Sequence, residues 1–434
     1  MNIPKKCDVV VIGGGPAGSS VSTMLSRMGY EVVLFDKARH PRYVVGESLI
    51  PHFWKYCEHM GVDQRIDADG FIQKAGGTVI WNGVIRQMQF KDFGYARPAL
   101  HVERDRFDNI LLRYASECGV QAFEEVTALK VNFQADDSAV VVYRPNGETS
   151  ESEIACRFVV DASGQGAVLA KQLNIRVIDE GFRFMSIWGY FKDSKYVAAD
   201  GRAYDFEHLR KVPPTTFVTN IDGWGWVWHI PQRDSTSVGL ILPQEQMKAI
   251  KASDEALESY FVRRCTEIPY LNRLLERAKY CEGSFHVIRD YSYRPTKLAG
   301  PGFFLLGDAA AFIDPIFSIG IVIAMYSAYL ASWAIDRSLK RPATTANNQA
   351  IFAQQFQMRL AASRALALPR YGYGDDESQK VRTSIQFETS FEQELMYVVS
   401  TLTTRSENFV EMSRNKDGGH VTSNKYRKIE DIVF

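Results

Sequence analysis

Side chains able to do chemistry fall in four stretches of this sequence, and each suggests a different task. Gly13, Gly15 and Gly18 form G-x-G-x-x-G, with Pro16 and Ala17 inside it. Glycines at that spacing let backbone N–H groups approach a pyrophosphate, whose charge is favoured at the N-terminus of the next helix. Asp36 follows about 20 residues later, at the end of an apolar run, where a carboxylate accepts from ribose hydroxyls and repels a 2′-phosphate. Lys74 stands in GFIQKAGGTVIW, Gly70–Trp81; by composition alone it is an exposed lysine beside a glycine pair. Trp226 and Trp228 alternate in WVWHIP and so share one side of a strand, leaving His229 on the other as a structural residue. Asp161 in FVVDASG and Asp308 in GDAAAFIDPIFSIG each end an apolar strand at a turn.

The elements that hold these residues read as follows. Cys7–Ile12 is a buried parallel strand, and a helix runs from the glycine loop through Met28. Glu31–Phe35 is the second strand, and His40–Pro51 (HPRYVVGESLIP) is a polar loop. Gly77 to about His101 alternates as strands of a second sheet, followed by an amphipathic helix with Arg104 near its start and Phe107, Ile110, Leu111 and Tyr114 inward. Gln121–Val126, Ala139–Arg144, Phe158–Gly164 and Phe303–Leu306 return to the nucleotide sheet. The aromatic, strand-rich segment 171–279 supplies the second sheet. Helices are expected over Thr345–Leu368 and Gln379–Glu411, and the charged end SNKYRKIEDIVF is read as mobile.

The expected fold is therefore α/β: a discontinuous Rossmann-like domain (1–76, 101–170 and 280–340), an inserted mixed sheet (77–100 and 171–279) and a C-terminal helical region (341–434). Composition agrees with a globular chain of 434 residues, 46% hydrophobic and 24% charged. Basic and acidic residues balance at 51 each, so no global charge argues for nucleic acid or an anionic membrane. Six cysteines with no C-x-x-C argue against a metal site or a disulfide framework and fit a reducing cytoplasm. The apolar start leads directly into the glycine loop and reads as a core strand, not a signal peptide. Pro315–Ile335 carries no charge, but Pro315, Ser318, Gly320, Ser327 and Ser332 interrupt it, so it reads as a buried helix and not a membrane span.

Taken jointly, the glycine loop, W-x-W-x-I-P at Trp226–Pro231 and F-x-x-P-x-x-S-x-G at Phe312–Gly320 resemble the flavin-dependent halogenases, a resemblance that spans roughly residues 7–335. The resemblance implies an FAD site made by Gly13, Gly15, Pro16, Ala17, Gly18, Asp36, Lys37, Arg42, Gly46, Glu47, Ser48, Arg104, the Val126 backbone, Asp161, Gly307, Asp308, Pro315 and Gly320. It implies that reduced FAD (FADH2), supplied by a separate flavin reductase, and O2 turn chloride or bromide into hypohalous acid. Halide would be held at Pro315, Ser318, Gly320 and Ile321, with Trp226 and Trp228 walling substrate from the flavin. Lys74 matches the family lysine that carries the halogen onward: neutral, an amine forms a haloamine; protonated, it polarises hypohalous acid. Burial would favour the neutral form.

One departure concerns substrate. Phe317 precedes Ser318 where the free-tryptophan halogenases tend to carry glutamate, and the chain is shorter than is usual in that branch. Both points favour a pyrrole tethered to an acyl or peptidyl carrier protein, with a free phenol as the alternative. Lys380, Arg382, Lys425, Arg427 and Lys428 are candidates for a surface that receives an acidic carrier. The competing reading is a geranylgeranyl-reductase-like or hydroxylating FAD oxidoreductase, which shares the FAD motifs and has no need of Lys74. Halide preference is left open.

Overall fold

A computed structural model describes residues 2–93, 95–180, 182–221, 225–367 and 426–434. Two sheets dominate them. The first follows from short runs of valine and phenylalanine with no polar face, which only a sheet covered on both sides can bury. Val9, Val10 and Val11 of Lys6–Ile12 are fully buried. This strand pairs in parallel with Val32–Asp36 on one side and Ser152–Asp161 on the other. Gln121–Glu124 and Phe303–Leu305 extend the parallel order outward, and Val126–Phe133 and Ala139–Pro145 form an antiparallel flap on Ser152–Asp161. The helices Pro16–Arg27, Arg104–Glu117 and Gly320–Lys340 pack around this sheet, and Thr345–Ala367 packs on the last of them.

The second sheet is mixed. Phe184–Lys192, Thr236–Pro243, Gly225–Pro231 and Thr215–Ile221 run antiparallel in that order; Thr215–Ile221 then pairs in parallel with Gly76–Trp81. Alternation gives it two faces. Val227, Leu240 and Ile187 pack under the helix Leu257–Glu267, whereas Trp188, Trp226 and Trp228 point the other way, toward Val45, Phe312 and Ile316. His229 lies opposite the tryptophans, edge-on to Phe217.

Four placements differ from the expected ones. Ala99–His101 does not join the second sheet; it forms a separate ribbon with Ile72–Lys74, pairing Ile72 with His101 and Lys74 with Ala99. His286–Arg289, expected with the nucleotide unit, pairs with Phe184–Lys192 because its alternating side chains suit a half-exposed edge. Tyr426–Ile429, read as part of a mobile end, adds an edge strand to Val84–Gln89, anchored by the buried Ile432. The apolar segment from Pro315 becomes helical only at Gly320, after a turn in which the Ser318 N–H donates to the Pro315 carbonyl at 3.0 Å. The expected helix Gln379–Glu411 and the basic residues Lys380, Arg382 and Lys425 lie outside the described residues. Among the described residues no helix is long and apolar enough to cross a membrane.

Candidate active site

The glycine loop joins the strand Lys6–Ile12 to the helix Pro16–Arg27, with Pro16 at its first turn and no side chain capping its N-terminus. The open N–H groups there are what a pyrophosphate needs. A Cβ on Gly18 would lie 1.8 Å from the Gly13 carbonyl oxygen, so only glycine lets helix and loop meet. Ala17 is buried beneath the loop. Asp36 ends its strand buried, and its carboxylate accepts from the Gly14 N–H at 2.7 Å and the Ala38 N–H at 2.8 Å. Lys37 is exposed, and Val126 is buried at the start of its strand, beside Pro145. The Asp161 carboxylate is taken up by backbone: the Ser163 N–H donates to it at 3.0 Å and the Leu169 N–H at 2.7 Å.

Toward the middle of the molecule the loop around Gly46 folds over Arg104. The Arg104 guanidinium donates to both Asp108 oxygens, at 2.9 and 3.1 Å, and to the Val45 carbonyl at 2.8 Å. Burial opposes its charge, but Asp108 outweighs that and holds the guanidinium above its usual range. Gly46 has φ +110°, and a Cβ there would sit 2.8 Å from Arg104 Nη1. Arg42 spans the gap to the nucleotide end, 3.7 Å from Asp36 and 3.5 Å from Asp108. Asp308, next to Gly307 in the turn of helix Gly307–Ala310, makes no hydrogen bond through its carboxylate among the described residues. Burial pushes it up to about 6, with Arg104 pulling the other way. A carboxyl with free lone pairs beside a covered cation fits a ribityl hydroxyl. Open N–H groups at one end and Asp308 at the other thus fit an FAD between them.

Lys74 is not exposed. It is 4% accessible, and its amine donates to Ser48 Oγ at 2.8 Å and to the Leu49 carbonyl at 3.0 Å, with the Phe90 ring 5.4 Å away. Burial alone pulls its pKa down to about 7. The ribbon explains the meeting: the Leu49 N–H donates to Leu100 O at 2.9 Å and the Val102 N–H to Glu47 O at 2.8 Å, so the 47–49 segment lies along 100–102, which pairs with Lys74's strand. Ser318 also reaches Ser48 and donates to its Oγ at 3.0 Å. Its φ of +57° is a conformation that typically costs a non-glycine residue about 1–3 kcal/mol. Pro315 accepts the Ser318 N–H, and Gly320 and Ile321 open the following helix, whose first N–H groups have no acceptor within the helix. One serine hydroxyl thus separates the Lys74 amine from the turn at Ser318.

Trp226 and Trp228 stand side by side, centroids 5.9 Å apart, and the Trp228 Nε1–H donates to Ser237 Oγ at 3.1 Å. Beneath them Glu47 is buried; burial pushes its carboxyl up, and the Tyr190 hydroxyl donates to it. Sequence reasoning missed Asp108, Thr216, His101 and Tyr190. Thr216 Oγ1 lies 2.8 Å from Ser48 Oγ and 2.8 Å from His101 Nε2. The available signal was the i, i+4 spacing of Arg104 and Asp108; nothing local marked Thr216 or Tyr190. Among the described residues no cluster of three or more His, Cys, Asp or Glu is placed to hold a metal.

An FAD-binding fold with a buried amine beside its central loop defines the class, and comparison with known proteins narrows it. The family described as the FAD binding domain matches residues 6–347. A tryptophan 2-halogenase of Chondromyces crocatus is 34% identical over 337 residues, covering 77% of this chain and 62% of that protein. A flavin-dependent halogenase of Armillaria mellea is 33% identical over 362 residues, covering 80% and 68%. The myxobacterial chondrochloren halogenase superposes with a TM-score of 0.75 at 27% identity, covering 97% of this chain and 95% of that one. A flavin-dependent brominase gives 0.77 at 22% identity, covering 94% and 98%, a likeness of fold. The chain belongs to the flavin-dependent halogenases, a family of FAD-dependent oxidoreductases, as the three sequence motifs implied.

Proposed function

We propose that this chain halogenates an electron-rich aromatic substrate by passing an oxidised halogen from the Ser318 turn to the Lys74 amine. The observation that carries the reading is the buried, uncharged-leaning amine of Lys74, one hydroxyl away from Ser318. Residues 13–18, Asp36, 46–48 and Asp308 would hold reduced FAD, which would supply two electrons that together with two from chloride or bromide would reduce O2 and leave hypohalous acid and water. Residues 319–321 offer N–H groups to a halide. Trp226 and Trp228 close the side of the site toward the second sheet. At Lys74 the nitrogen takes the halogen: an N–halogen bond forms, the O–halogen bond breaks, and the displaced proton and hydroxide leave as water. Transfer to the ring carbon then replaces a ring proton, which returns to the nitrogen. Above pH 7 the amine is mostly neutral and ready for this step.

The division into a nucleotide unit (1–76, 101–170 and 280–340) and a sheet unit (77–100 and 171–279), redrawn so that His286–Arg289 and Tyr426–Ile429 go to the sheet and Ala99–His101 to the ribbon, belongs to the same proposal, as does a separate flavin reductase as the electron source. For substrate, the proposal is a pyrrole carried as a thioester on an acyl or peptidyl carrier protein. Phe317, buried where a glutamate would favour a free indole, supports it, as do the exposed Arg427 and Lys428 on the edge strand Tyr426–Ile429. Mass spectrometry of a pyrrolyl-loaded carrier, incubated with enzyme, FAD, a flavin reductase, NADH and either halide, tests both levels. Whole halogen-for-hydrogen gains that vanish in Lys74→Ala are expected. Hydroxylated carrier in both proteins would overturn the halogenase reading; halogenation of a free phenol but not of the carrier would overturn only the tethered substrate.

A further inference from the structure

Lys74 and Ser318 share Ser48, but Ser48 has a third partner, and that partner leads away from the reaction path. The chain of contacts runs Ser48 Oγ, Thr216 Oγ1, His101 Nε2, and from His101 Nδ1 to the Pro231 carbonyl oxygen at 2.9 Å. Its direction follows from its end. A backbone carbonyl only accepts, so His101 Nδ1 carries the proton and donates. His101 is completely buried, and that burial keeps the imidazole neutral. Nε2 is therefore an acceptor, and Thr216 must donate to it. Thr216, having spent its one proton, accepts from Ser48. Ser48, having spent its own, accepts from both Lys74 and Ser318.

We propose that His101 and Thr216 are positioning residues that fix the hydrogen-bond polarity of Ser48 so that Ser48 never donates to Lys74, leaving the amine's lone pair open for halogen capture. The neutral amine has two protons, and two acceptors hold them: Ser48 Oγ and the Leu49 carbonyl. The lone pair then points away from both. If the chain lost its far acceptor, the Ser48 hydroxyl would be free to turn and donate to the amine nitrogen, blocking the nucleophile without moving it. The same polarity spends the Ser318 hydroxyl proton on Ser48, so that proton is not offered to the halide. This inference rests on the proposed Lys74 relay.

The test separates making the oxidant from using it. Thr216→Val removes the hydroxyl at constant shape; Thr216→Ser restores it. In Thr216→Val, halogenated product per turnover should fall on the order of 10- to 100-fold, the range a misdirected hydrogen bond gives, while oxidant caught by an added thiol trap stays at the wild-type level. Thr216→Ser should recover most of the product. A flavin-free arm reads the lone pair directly: reductive methylation of the apoprotein with formaldehyde and borohydride, with mass spectrometry of the Lys74 peptide. Labelling should slow in Thr216→Val and recover in Thr216→Ser. Wild-type transfer and labelling in Thr216→Val, or failure of Thr216→Ser to recover either, would overturn the inference. Absence of halogenated product from the wild type itself would instead overturn the relay, and the labelling arm would still decide the polarity.

Discussion

Lys74 and Arg104 are both buried, and they are treated in opposite ways. Arg104 has a carboxylate on its guanidinium, two backbone carbonyls beside it and a second cation, Arg42, sharing Asp108; it is a fixed charge. Lys74 has a hydroxyl and a carbonyl and no bonded carboxylate; burial alone acts on it, and its pKa comes down to about 7. A guanidinium cannot be discharged in a protein, so a fully paired arginine suits a loop that must hold one shape. An amine can lose its proton, so leaving it unpaired makes a nucleophile. Arg104 is thus built to shape the 45–46 loop, and Lys74 has the environment that the proposed halogen transfer requires.

That contrast can be broken from either side. The largest effect expected is on Lys74→Ala, which should lose halogenated product on the order of 10³-fold or more, as removal of a reacting side chain does, with oxidant formation unchanged in a trap assay. Equal losses in both assays would make Lys74 structural. Next, Asp108→Ala strands two arginines at a buried site and should cost about 3–5 kcal/mol in urea unfolding, with FAD affinity reduced alongside. A cost near zero would mean that Arg104 is not held by the pair.

Lys74→Met should do the reverse and stabilise the protein, by roughly 2–4 kcal/mol below pH 7 once two lost hydrogen bonds are counted. The sign follows from proton uptake. The unfolded lysine holds its proton up to its ordinary 10.5, the folded one only to about 7, so between those values unfolding takes up a proton and the wild type gains stability as pH rises. The advantage of methionine is therefore greatest below pH 7 and fades toward pH 10. The smallest effect is on Ser318→Ala: the halide KM should change by less than about twofold, because the hydroxyl proton is committed to Ser48. A tenfold rise would place that proton on the halide.

The two regions also differ in how far the sequence discloses them. The nucleotide end is legible because its parts are local: glycines, helix start and Asp36 fall in one strand–helix–strand unit whose periodicity and spacing are visible in a line of text. Trp226 and Trp228 sharing a face, and His229 opposing them, follow from strand alternation in the same way. The Lys74 node is different. Its five side chains come from positions 48, 74, 101, 216 and 318, brought together by the small ribbon Ile72–Lys74 with Ala99–His101 and by the parallel pairing of Thr215–Ile221 with Gly76–Trp81. Neither pairing leaves a local signature, so Thr216 read as one more strand threonine and His101 only as a strand end. Lys74 was found through its resemblance to a family position; its burial came from the ribbon. Tyr426–Ile429 was missed for a related reason: four residues with three polar side chains become a strand only because Val84–Gln89 offers an edge.

The most direct test of the account is the titration of the Lys74 ε-nitrogen itself, followed by nitrogen NMR on protein carrying labelled lysine and assigned by its loss in Lys74→Met. A midpoint at about 7 is expected, with the neutral amine dominant above it. A midpoint near the ordinary 10.5 would leave the amine charged throughout, without a lone pair to take the halogen, and would contradict the relay.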